Sequence, residues 1–152
     1  MFEKKKIDKY AQTLREQVAA NPRIQGCRIA MGKAKLGAYV RTTELNRTMR
    51  EDLGEGGYFY IEYSLKGELL ADLCFACDKD TQKYEILREF FDDLDEDDDT
   101  FETIELCSND EKGTTTITTT AKVDPKDLAL VSGSFVSIML DWLDILYEMT
   151  EL

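Results

Sequence analysis

Cys74-Phe75-Ala76-Cys77 is a cysteine pair at a spacing that metal and redox sites use. A structural zinc needs two such pairs, or histidines beside one. This chain has four cysteines and no histidine. The pair also falls at the end of a predicted strand, where residues i and i+3 point to opposite faces and the sulfurs diverge. A thioredoxin-type pair opens a helix, which lowers its thiol pKa. Here the next helix is predicted from residue 80, three residues late. Both cysteines therefore read as small buried apolar residues. The missing histidine removes the commonest general base and any Ser-His-Asp or Cys-His arrangement. No catalytic residue, cofactor site or metal ligand is assigned, and the chain is expected not to be an enzyme.

The acidic run 92–99 invites a calcium reading. An EF-hand loop needs oxygens at positions 1, 3 and 5, glycine at 6 and glutamate at 12. Counting from Asp93 places Asp95 and Asp97 correctly, but puts Asp98 at position 6 and Ile104 at position 12. The run reads instead as a solvated acidic loop. Gly54-Glu55-Gly56-Gly57 lacks both the Walker lysine and the dinucleotide-binding spacing. Thr114, Thr116, Thr118 and Thr120 make a threonine row on one strand face, with Ile117 and Val123 on the other. Such a ladder is ordinarily a solvated sheet face.

Charge is split by position. Residues 1–50 hold 12 Lys+Arg against 4 Asp+Glu, a net of +8, and residues 51–152 hold 7 against 27, a net of −20. Arg23, Arg28, Lys33, Lys35, Arg41, Arg47 and Arg50 suggest a nucleic-acid surface. The overall charge of −12 opposes phosphate at long range. These cations are expected to neutralise the acidic part, within the fold or across a dimer, and no nucleic acid is expected as partner.

The elements follow from periodicity. Residues 5–20 carry Ile7, Tyr10, Ala11, Leu14 and Val18 at helical spacing, and Asn21-Pro22 ends the helix. Two short strands are predicted at 24–31 and 35–42. A connection over 43–57 allows one helical turn through Leu45, Met49 and Leu53. Strict alternation over 58–65 and 68–77, around Lys66-Gly67, gives a hairpin with one buried face. A helix follows at 80–94 with Asp80 as candidate cap, then a hairpin of 101–107 and 114–123. Asp124-Pro125 caps a closing helix over 125–150. Its core stripe is Leu128, Val131, Phe135, Ile138, Trp142, Ile145 and Met149. Val136, Leu140 and Leu143 widen that stripe to a second side, which needs a second partner surface. They are assigned to an apolar contact with a dimer mate or a client.

The prediction is a single α+β domain over 1–152. It has an antiparallel sheet of two or more hairpins with N-terminal, middle and long C-terminal helices. The basic start lacks the apolar run of a secretory signal, and Leu128–Leu140 is uncharged for only 13 residues. A cytoplasmic chain with reduced thiols and no membrane partner is expected.

Helix, strands, helix, two strands and helix, in a small acidic chain, resembles the type III secretion chaperone-like fold. That group includes the YbjN-type proteins, which are labelled sensory-transduction regulators. Local echoes are Glu44-Leu45-Asn46-Arg47 ahead of the Tyr58–Cys77 hairpin and the closing helix Asp124–Met149. Four strands are counted before the middle helix, where secretion chaperones have three. The resemblance implies homodimers that hold an extended client segment along grooves, and it transfers no catalytic residue.

The leading expectation is a non-catalytic, chaperone-like, homodimeric protein-binding module whose client is basic or extended. The alternative is an acidic inhibitor, either an immunity protein or a DNA mimic, acting on a basic toxin or nuclease. Acids rimming apolar grooves favour the first, and one continuous acidic stripe favours the second. Asp95, Asp97, Asp98 and Asp99 are assigned to electrostatic partner attraction. Changing all four to Asn should slow association with a basic client more than it speeds dissociation, because rim charges act on encounter. Stopped-flow kinetics reads this, and an unaltered on-rate refutes it.

Overall fold

The computed structural model describes residues 2–94 and 100–151. Asp95, Asp97, Asp98 and Asp99, the predicted electrostatic contacts, lie outside the described residues. The fold is α+β, with a six-stranded antiparallel sheet and four α-helices among those residues. In chain order the elements are α1 (Phe2–Ala20), β1 (Arg28–Ala34), β2 (Gly37–Glu44), α2 (Arg47–Leu53), β3 (Tyr58–Ser64), β4 (Glu68–Phe75), α3 (Gln82–Asp92), β5 (Thr103–Asn109), β6 (Thr114–Lys122) and α4 (Leu128–Glu151). Four strands precede α3, as counted, and the sheet order is β1-β2-β3-β4-β6-β5.

The hairpin β3–β4 sets the layers. Phe59, Ile61 and Tyr63 alternate with half-buried neighbours, and Leu69, Ala71 and Leu73 answer them from β4. All six side chains point to one face, where α1 packs on β1, β2 and β3, and α2 and α4 pack on β4. The hairpin turns at Gly67, whose φ of +84° suits glycine. Tyr63 is fully buried, stands edge-on to Tyr10 at 4.8 Å, and donates its hydroxyl to the Val123 carbonyl at 2.5 Å.

Local caps shift several predicted boundaries. Asn21 accepts from the Arg23 amide and opens a 3-10 turn at Pro22–Ile24. The first strand therefore starts at Arg28, not residue 24, and Ile24 enters the core from the turn. Asn46 accepts from the Met49 amide and extends the expected helical turn into α2. Thr81, rather than Asp80, caps α3 by accepting from the Tyr84 amide at 3.2 Å. Asp124 accepts from the Lys126 amide, as expected of the cap before Pro125, and the 3-10 turn there runs into α4.

The expected free apolar side of α4 is not free. Val136, Leu140 and Leu143 are buried in the chain's own core. The helix lies in a trough among α1, α2, α3 and β4, so the second partner surface is supplied within the chain. Phe101 packs on Phe135 and Trp142, and Phe90 packs on Trp142. Ile145, placed in the core stripe, is instead 46% exposed. By length and composition α4 meets the requirement of a membrane span, beyond what its 13-residue uncharged run suggests. Among the cations, Arg23 does cross between the two charge blocks, reaching Asp141 at 2.7 Å and Asp144 at 3.1 Å.

Leu140→Ala should therefore cost about 2–5 kcal/mol of stability, as a buried leucine truncation does, and leave the sedimentation coefficient of the native protein unchanged. Urea unfolding and sedimentation velocity check the two halves. A small stability loss with a changed oligomer would return Leu140 to an interface.

Candidate functional site: the uncovered sheet face

The same alternation that seals one face leaves the other without a helix among the described residues. Three rows cross it in register. Arg41, Tyr60, Asp72, Thr118 and Glu105 form the central row. Tyr39, Glu62, Leu70, Thr120 and Thr103 lie on one side of it. Tyr58, Cys74, Thr116 and Cys107 lie on the other. The threonine row is on this face, as expected.

Three tyrosines make it more than a solvated ladder. Tyr39 and Tyr60 stack with centroids 5.6 Å apart and planes 24° from parallel. The Arg41 guanidinium lies 3.9 Å from the Tyr58 ring centroid. Tyr60 donates to Glu62 Oε1 at 3.3 Å. A groove of about 680 Å³ adjoins the tyrosines, lined by Tyr39, Arg41, Tyr58, Arg50 and the Gly54–Gly57 turn. Rings and carboxylates side by side suit cationic and apolar groups together.

Asp72 sits at the centre under poor terms. Its Oδ1 is buried and has no hydrogen-bond partner among the described residues. Burial raises its pKa, Glu62 adds to the rise, and a hydrogen bond from Thr118 pulls the other way. Burial also raises Glu62, opposed by Tyr60 and assisted by Glu68. Tyr58 and Tyr60 are raised too, chiefly by burial. Behind the sheet, Asp52 is pushed up to about 6 by burial and then by the charge of Asp144. It lies beside α3, where Lys83 donates to the Asp52 carbonyl at 2.6 Å.

The cysteine pair behaves as two separate residues. Cys74 faces Tyr58 on the uncovered side, and Cys77 lies beyond the strand end, buried 3.3 Å from Thr81 Oγ1. Among the described residues no three Cys, Asp or Glu side chains converge as metal ligands. The apolar contacts predicted at Val136, Leu140 and Leu143 are core, on the helical side of the sheet. Sequence reasoning missed Tyr39, Tyr58, Tyr60, Glu62 and Asp72. The available signal was aromatic residues at the positions of β3 that alternate with its core residues.

No family model, no curated protein and no solved structure matches this chain.

Asp72 holds its proton more tightly folded than unfolded. Its contribution to stability is thus fully present below the unfolded pKa and is lost as pH rises through the folded one. Asp72→Asn should raise the urea midpoint at about pH 7.5, and the gain should vanish near pH 3.5, below the free-carboxyl value. An equal gain at both pH values would assign the effect to packing.

Proposed function

We propose that this chain is a non-catalytic protein-binding module of chaperone-like use that holds a basic or extended client segment on its uncovered sheet face. The observation that carries the reading is the central row of that face. A partly buried carboxylate at Asp72 costs stability, and Tyr58, Tyr60 and Glu62 surround it. Stability is commonly surrendered where a surface must bind. Aromatic rings supply apolar contact and cation stacking, while carboxylates supply attraction and rejection of acidic partners. The net charge of −12 extends that attraction beyond contact distance.

The distribution of acids favours this reading over an acidic inhibitor that imitates nucleic acid. On the described face Glu62, Asp72 and Glu105 stand among rings and threonines rather than in an unbroken stripe. The resemblance to secretion chaperones points the same way, through its extended clients and homodimers. A dimer contact, if this chain forms one, has to lie away from Val136, Leu140 and Leu143.

Calorimetric titration with a disordered lysine-rich peptide tests the reading. Binding should weaken between 0.1 M and 1 M salt, as the Debye length falls from about 10 Å to 3 Å. The double variant Tyr39→Ser, Tyr60→Ser should weaken it further at constant salt. Absence of binding, or binding that ignores both changes, removes the sheet face from this role.

A further inference from the structure

We infer that the outer edge of β5 is a strand-addition site for an extended segment of another protein in which basic and apolar residues alternate. The inference rests on the protein-binding reading and names where and how the client is seated. In the sheet order β5 is terminal, so every second N–H and C=O pair of Thr103–Asn109 points away from β6. The two edges differ. β5 pairs with β6 in unbroken register, whereas the β1–β2 ladder breaks register between Arg28 and Ile29, where β2 holds the extra residue, Thr43. A bulge increases the local twist of the pair it interrupts, so the β1 edge is less regular than the β5 edge.

The helical layer stops short of β5. Ile104 and Leu106 are only partly buried on its covered side. A groove of about 510 Å³ opens between Glu102, just ahead of β5, the end of β6 and the first turns of α4. Leu130, Val131 and Ile138 line it, and Leu130 is 76% exposed. An added strand projects alternate side chains to opposite faces. One set would lie on the covered side, beside Ile104 and Leu106 and towards this groove, where Glu102 and Asp127 stand among the apolar residues, and the other would lie on the uncovered face beside Glu105.

Charge selects the occupant. Within residues 100–127, six carboxylates, among them Glu102, Glu105 and Asp127, oppose three lysines. A second copy would bring the same local excess of carboxylates to this edge, so the matching partner here is a basic strand of a different protein. Backbone pairing would give such a strand affinity, and the alternating side chains would give it specificity.

The test uses the full chain and a peptide of alternating lysine and valine about as long as β5. Two further peptides carry N-methyl groups on alternate residues, one along each edge, and a fourth has the same composition in blocks. The alternating peptide should bind and slow amide exchange along β5. One N-methylated form should bind about tenfold more weakly, since two lost hydrogen bonds are worth about that. The other should bind unchanged, the block peptide should bind more weakly, and Glu105→Lys should weaken the alternating peptide. Equal binding by all four peptides overturns strand addition and leaves the protein-binding reading standing. Protection confined to Tyr58 and Tyr60 does the same. Failure of every peptide overturns both. Peptide-free self-association that Glu105→Lys abolishes would make the occupant a second copy and refute the foreign strand.

Discussion

Phe59, Ile61 and Tyr63 on β3 face Leu69, Ala71 and Leu73 on β4, and this pairing decides where every helix goes. A one-residue slip would turn all of them to solvent, and burying each large side chain is worth about 1.5–3 kcal/mol. Tyr63 extends the constraint to the end of the chain. Its hydroxyl holds the Val123 carbonyl at the junction of β6 and α4, so the hairpin sets the angle at which the last helix returns across the sheet. α1 reaches the same tyrosine through Tyr10.

Sealing one face with four helices leaves the other, among the described residues, to side chains alone. That face is not the polar surface a merely soluble protein needs. It carries stacked rings, a guanidinium lying on a tyrosine, and a carboxylate whose buried oxygen has no partner among the described residues. The fold tolerates Asp72 because the helical side is so completely packed. The energetic surplus and the energetic cost lie back to back on the same strands.

Legibility followed the strength of the local signal. The β3–β4 hairpin could be read because period-two alternation runs unbroken on both sides of Lys66-Gly67. The closing helix could be read because a cap, a proline and a long apolar stretch agree. What covers Val136, Leu140 and Leu143 could not be read. Periodicity counts the apolar sides of a helix and is silent on whether another chain or the same chain supplies the cover. β1 was drawn too early because Ile24 is apolar in either a strand or a 3-10 turn, and only the Asn21 cap decides between them. The threonine row marks the uncovered face in the sequence, but Tyr58, Tyr60 and Glu62 join it only through the pairing of β3, β4 and β6, which one strand's pattern does not carry. The acidic run is conspicuous in sequence, and Asp95, Asp97, Asp98 and Asp99 fall outside the described residues.

β6 is threonine at six of its nine positions, on both faces. On the covered side Thr115 and Thr119 are fully buried and give their hydroxyl protons to the carbonyls of Cys77 and Ala71. On the uncovered face, sliding this strand by two residues would exchange threonine for threonine at three of four positions, whereas on the covered face Thr115, Ile117, Thr119 and Ala121 would each meet an unlike residue. Ile117 is the only large apolar residue within the strand that marks the right alignment. Only the uncovered face is nearly self-similar under translation, and the covered face supplies the index that it lacks. β5 pairs through β6 and inherits whatever alignment β6 adopts. The outermost strand is thus positioned at second hand, by a ruler that is marked on one side only.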